Sequence, residues 1–265
     1  MLIDAHTHAW NDRLAKGAVA SLAEGAHITA YGNGTVDDLR SRMKEEGVSK
    51  FCVLNIAVSP RTERHVNDFA LSLLSCPEII PFGSVHPDSE NALSELDRLS
   101  AAGIRGVKFH NEYQNFLADD EKAFPLYEKC AEKGLVMVFH AGADRGFSPP
   151  FKAGPERIAH IQRTFPRARI VAAHLGGMDM TEEAVRLLSG TGAYVDTAFS
   201  SKFASAAQIR RIVDAFGADR VLFGTDFPWD TPGRTLAHLS AAGLTEEETE
   251  RIAWKNAAAL FEIAP

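Results

Sequence analysis

Cysteine is scarce in this chain: three among 265 residues, at Cys52, Cys76 and Cys130. So odd and sparse a set argues against a disulfide framework and for a reducing compartment. None of the three has a His or Cys neighbour at ligand spacing, and Cys52 sits in an apolar run, which leaves nucleophilic thiol chemistry without support. Long hydrophobic runs are also missing; none reaches the roughly 18 residues needed to span a membrane. The opening MLIDAHTH has no basic segment followed by an apolar stretch, so no secretory signal is expected and the cytoplasm is the expected location. Positive charge is not in excess, since 28 Lys and Arg face 35 Asp and Glu for a net charge of -7. A mildly acidic chain has no global field to draw nucleic acid or an anionic membrane. The expected partner is a small molecule, with room left for a local basic pocket; self-association is left open. Linkers, low-complexity tracts and charge blocks are absent as well.

What the chain has is alternation. Hydrophobic residues make up 45% of it, enough for a sizeable core. Short apolar runs at Leu2–Ala5, Phe51–Ile56, Ile80–Val85, Ile104–Phe109, Leu135–Phe139, Ile170–Ala173, Ala193–Val195 and Val221–Phe223 read as strands. Between them lie amphipathic segments such as TVDDLRSRMKEEG and SAAQIRRIVDAFG, most of them ending on glycine before the next run. Strand–helix alternation implies βαβ units and a parallel sheet. Near-continuous apolar strands imply burial on both faces. Eight such units in this length predict an α/β fold, one (β/α)8 TIM barrel spanning residues 1–265. A doubly wound sheet is the alternative; it more commonly carries a Gly-rich loop after the first strand, where this chain has HTHAW. The stretch from Trp10 to Gly34 is the longest connection and reads as a loop overhanging the site. The tail ETERIAWKNAAALFEI reads as a last amphipathic helix.

Polar residues gather at the C-terminal ends of the apolar runs: Asp4, His6 and His8, then His86, Lys108 with His110, His140, His174, Asp196 and Asp226. In a barrel those ends converge on one mouth, so six of the ten histidines are expected there. His6 and His8 stand two apart on a strand and face one side. With His140 and Asp226 they would make a site of three imidazoles and a carboxylate, suited to Zn2+ or another divalent transition ion. An isolated HxH is as well explained by chance; the further strand-end ligands make chance a poor account. Asp4 reads either as an acceptor for an imidazole N–H or as an ordinary buried carboxylate. On the substrate side stand Lys108, His110, His86 and Arg145, the last a guanidinium that can grip a carboxylate in two places. Phe116, Phe147, Phe151, Phe227 and Trp229 are candidates for an apolar wall, some of them simply packing.

IDAHTH, FHAG, AAHLGG and FGTDFPW, in this order from Ile3 to the terminal KNAAALF, resemble the amidohydrolase superfamily. The match is closest to its amidohydrolase-2 branch, which contains aminocarboxymuconate-semialdehyde decarboxylase and aromatic-acid decarboxylases. GSVHPD, GVKFHNEYQNF and HAGADRGF resemble a bacterial subset described as metal-dependent hydrolases. The resemblance implies metal ligands at His6, His8, His140 and Asp226, with His174 acting on water or substrate. Some members bridge two ions with a carboxylated strand-four lysine, so a two-ion site through Lys108, His140 and His174 stays open beside the preferred single ion. Many members also carry an N-terminal β-sandwich portion that this chain has no room for before its first strand.

A divalent ion makes water nucleophilic at neutral pH, with Asp226 and His174 as the acid–base residues. The first reading is therefore hydrolysis of an amide, ester or lactone of a small, carboxylate-bearing molecule. The alternative is non-oxidative decarboxylation of an aromatic or unsaturated acid, which needs the same ligands. A barrel that binds a metal or ligand without turnover is the third; intact acid–base positions argue against it.

Overall fold

The computed structural model describes residues 1–263; the last two residues of the 1–265 span lie outside the described residues. Eight strands follow one another: β1 (Ile3–Thr7), β2 (Lys50–Leu54), β3 (Ile79–Phe82), β4 (Gly106–Phe109), β5 (Val136–Phe139), β6 (Arg169–Ala172), β7 (Tyr194–Asp196) and β8 (Val221–Leu222). They pair in sequence order as a three-stranded sheet, β1 to β3, and a five-stranded sheet, β4 to β8. Parallel bridges Gly83–Val107 and Thr7–Phe227 join the two sheets at both seams. Lys108 N–H donates to the Gly83 carbonyl at 2.9 Å, Asp226 N–H to that of His6 at 2.8 Å and His8 N–H to that of Phe227 at 2.7 Å. The architecture is the TIM barrel expected from the alternation, with each expected run found as a strand to within a few residues.

The apolar strands divide their side chains between two cores. Ile3, Cys52, Leu54, Val136, Val138 and Leu222 form an inner cluster, which Ala257 and Phe261 from the chain's end join. Phe51, Val107, Met137 and Ile170 instead pack with Leu39, Leu96 and Ile212 of the surrounding helices. The expected last helix is three short turns, Glu246–Glu250, a π-turn Arg251–Lys255 and Asn256–Leu260. Polar caps set the helix starts, as where Ser205 and Gln208 form a reciprocal capping box.

The connection after His8 differs from expectation. Asp12–Ala26 is a 15-residue helix, started by the Asn11 side chain accepting from Arg13 N–H. Gly17 and Gly25, both on its exposed side, lower its helix propensity and favoured the loop reading. Only Ala15 and Val19 are fully buried on it.

Behind β5 the chain makes a backbone contact that only glycine permits. Gly142 has φ +83, and a Cβ there would lie 2.4 Å from Met178 N and 2.6 Å from Gly177 C. Two backbones meet, so neither side can yield by a rotamer change. Gly142→Ala is expected to cost about 3 kcal/mol or more, read as a lower urea midpoint. A loss under about 1 kcal/mol would show that the two loops separate easily.

Candidate metal centre and active site

The strand-end residues converge as the barrel requires. His6, His8, His110, His140 and His174 all line one cavity of about 90 Å3, together with Lys108 and Asp226. His86 does not line it. β3 ends at Phe82, leaving His86 in the following loop, where Nε2 donates to the Gln114 carbonyl at 3.1 Å and Nδ1 accepts from Asp88 N–H at 3.2 Å. It fastens two loops and has no ring nitrogen free for substrate.

Four of the five imidazoles around the cavity are oriented by an outer acceptor. His6 Nδ1–H donates to Asp196 Oδ2 at 2.8 Å, and His8 Nδ1–H to the Leu54 carbonyl at 2.9 Å. His140 Nε2–H donates to the Ala143 carbonyl at 2.9 Å and His174 Nδ1–H to the Ala198 carbonyl at 3.0 Å. A neutral ring that gives its one N–H outward presents a lone pair inward. Burial drives His6, His140 and His174 below the ordinary imidazole pKa, so these three rings are neutral. The inward nitrogens then confront other acceptors. His8 Nε2 lies 3.0 Å and His6 Nε2 3.4 Å from Asp226 Oδ1, while His140 Nδ1 lies 3.0 Å from His174 Nε2. Lone pairs turned on one another across one buried cavity fit a cation between them. The ligand atoms of His6, His8 and Asp226 all lie within 4.8 Å of one another, as do those of His110, His140 and Asp144. Nitrogen and carboxylate donors of this kind suit a divalent transition ion.

His140 therefore stands between two groups: its Nδ1 faces His174, and its Nε2 is 3.8 Å from Asp144 Oδ2. His110 stacks on it with ring centroids 4.3 Å apart and reaches Asp144 Oδ2 at 3.2 Å. Burial takes His110 down to about 3, so it donates to Asp144 as a neutral ring. Burial pushes the Asp144 carboxyl up, but the His110 hydrogen bond and the imidazoles beside it outweigh this and hold it below the usual range. Lys108 is 1% exposed, and its Nζ has no hydrogen-bond partner among the described residues. Burial lowers its ammonium from 10.5 to about 8, leaving it charged at neutral pH. Arg145 lines the cavity from its rim, half-exposed and 3.1 Å from Asp179.

Asp4 takes no imidazole proton. It accepts from the main-chain N–H groups of His6 and Thr225 and from the Thr225 hydroxyl, and burial pushes it up to about 7. The β1–β2 register slips between Asp4 and Thr7, a bulge-type irregularity that breaks simple alternation. Asp196 fills the outer role, binding His6 through Oδ2 and the main-chain N–H groups of His174 and Ala198 through Oδ1. Its position at a strand end was the only sequence signal for this.

The walls carry further residues that the sequence did not single out: Trp10, Ile28, Tyr113, Met178 and Phe199. Of the five aromatics considered from the sequence, Trp229 lines the cavity, whereas Phe116 and Phe227 belong to the main core. Three cavity residues hold left-handed backbone: His174 at φ 57, Phe199 at 59 and Asp226 at 68. Non-glycine residues pay for that conformation, and here the cost falls on the residues that surround the ligand atoms.

The amidohydrolase family model matches residues 3–263, and the chain belongs to that family of enzymes. No curated protein matches it in sequence. Among solved structures it is similar to 5-carboxyvanillate decarboxylase from Sphingomonas paucimobilis, with TM-score 0.75, 17% identity and coverage of 100% of this chain and 99% of the other. Dihydroxybenzoic acid decarboxylase from Polaromonas, solved with bound manganese, gives TM-score 0.74 and 16% identity over 99% and 97% of the chains. A candidate 2-pyrone-4,6-dicarboxylic acid hydrolase from Pseudomonas putida gives 0.69 and 17% over 100% and 98%. At such identities the likeness is one of fold. No helix among the described residues is long and apolar enough to cross a membrane.

Proposed function

We propose that this protein is a metal-dependent, non-oxidative decarboxylase of an aromatic or unsaturated carboxylic acid. The observation that carries the reading is the buried, unpartnered Lys108 ammonium in a small cavity walled by Trp10, Trp229, Phe199 and Met178. A buried cation without a partner is costly, and a substrate carboxylate is the group that would relieve it. The indole and phenyl walls would hold a flat conjugated body and keep water away. The decarboxylases that share this fold support the same choice, which reverses the order set by the sequence alone.

His6, His8, His140 and Asp226 would hold the ion, Zn2+ or Mn2+ by donor chemistry, which when bound supplies Lewis acidity toward the substrate's oxygens. Lys108 would orient the carboxylate. His174 Nε2, a lone pair at rest, would relay a proton: it would take one from water or a substrate hydroxyl, and as the carbon–carbon bond breaks and CO2 leaves, the electron pair left on the ring or alkene carbon would take that proton from it. Arg145 at the rim would meet a second anionic group after leaving Asp179.

A second reading, hydrolysis of an acidic lactone, is favoured by the pairing of His8 and His6 with one Asp226 oxygen, since such a carboxylate can take a proton from water. Product analysis decides. On Zn2+- or Mn2+-loaded protein, hydroxybenzoates, carboxyvanillates and pyrone dicarboxylates are screened for CO2 and for uptake of labelled water oxygen. One CO2 per turnover is expected; labelled product without CO2 would overturn the proposal. His174→Ala is expected to keep its ion and lose roughly 10²–10⁴-fold in rate; loss of the ion instead would make His174 a ligand.

A further inference from the structure

The cavity that holds the ligand atoms measures about 90 Å3, far below the roughly 300–1,000 Å3 of small-molecule sites. It has room for a small conjugated body and little beyond it. Beside it lies a chamber of about 760 Å3. The two share His8, Trp10, Leu22, Ile56 and Tyr113 as a common wall. The chamber runs between the helix Asp12–Ala26, which contributes Leu14 and Leu22, and the helix Glu63–Ser72, which contributes Val66 and Phe69. Its lining is mainly apolar, and Leu14 and Val58 stand 64% and 47% exposed on it. Large apolar side chains turned to water on the walls of a concave space mark a binding site.

We propose that this chamber is the second half of the substrate site and takes an apolar extension, alkyl or aryl, carried by the acid whose carboxyl group enters the small cavity. The proposal rests on the carboxylic-acid reading above and narrows it to substrates larger than a single substituted ring. The lining shared at His8 and Trp10 sets the two spaces side by side and selects this occupant over an unrelated ligand. The helix that follows His8 thus sets substrate length as well as covering the site.

The test is a binding series, benzoate and then 4-methyl- through 4-hexylbenzoate, titrated calorimetrically into protein with and without Zn2+. Each methylene buried in an apolar chamber is expected to tighten binding about three- to four-fold. In Leu14→Trp and Val66→Trp, which narrow the chamber from opposite walls, the gain per methylene is expected to shrink. Leu14 is exposed enough for its variant to fold whatever Val66→Trp does. Affinity that does not rise along the series in the unmodified protein overturns the proposal, as does an equal rise in both narrowed variants. Sedimentation showing a dimer that Leu14→Glu separates would place a second copy over the chamber and also overturn it. Benzoate binding alike in Lys108→Met and in the unmodified protein would defeat the carboxylic-acid reading, while the dependence on chain length still reports on the chamber.

Discussion

Asp226→Asn protein is expected to lose its ion to a chelator under conditions in which the unmodified protein keeps it, and to be inactive with its fold intact. Asp226 Oδ1 is the point on which His6 Nε2 and His8 Nε2 converge, at 3.4 and 3.0 Å. An amide there removes the one negative charge of the inner group. Partners that only orient a metal ligand cost 10–100-fold in affinity when removed. Loss of the inner carboxylate should therefore exceed about 100-fold, read by competition with a chromogenic chelator, with circular dichroism to show the barrel intact. Asp196→Asn supplies the contrast. Asp196 orients His6 from outside, so its loss should stay within roughly 10–100-fold and activity should return at high Zn2+. If both variants bind the ion as tightly as the unmodified protein, the ligands have been misassigned.

The barrel was legible because its signal is repeated eight times over, and an error of a few residues at any strand end leaves the topology unchanged. The site was legible wherever strand direction alone sets position: His6, His8, Lys108, His110, His140, His174 and Asp226 all reach the cavity. Reading failed where position depends on where a strand stops. His86 follows a strand that ends at Phe82, and the loop turns it toward Gln114. Asp4 read equally as an imidazole acceptor or as an ordinary buried carboxylate, and it is the second, held on Thr225, while His6 is held by Asp196. The walls were the least legible part. Trp10, Leu22 and Ile28 belong to a connection that was read as a loop because two glycines weaken its helix, and Met178 and Phe199 lie in loops placed by contacts distant in sequence.

Lys108→Met is expected to stabilise the metal-free protein while disabling the enzyme. The ammonium is wholly buried, and burial lowers its pKa from 10.5 to about 8 despite attraction from Asp196, Asp226 and Asp144. A lysine whose folded pKa lies below its unfolded value binds its proton less tightly in the folded state. Below about pH 8 the folded protein carries the full cost of the buried charge. Between about 8 and 10.5 the folded lysine is neutral while the unfolded one is still charged, so that cost disappears as pH rises. At about 1.4 kcal/mol per pKa unit it is on the order of 3 kcal/mol at pH 7. Methionine has a similar length and no charge, so the variant should unfold at higher urea by an amount of that order at neutral pH. The difference should shrink steadily toward pH 10.5. Replacing a buried charge by an apolar side chain commonly has this sign. The same substitution removes the partner proposed for the substrate carboxylate, so KM for the acid should rise and turnover should collapse at every pH. A destabilised variant, or a stability difference that does not change with pH, would show that Lys108 is compensated in the folded protein and is not held in reserve for an anion.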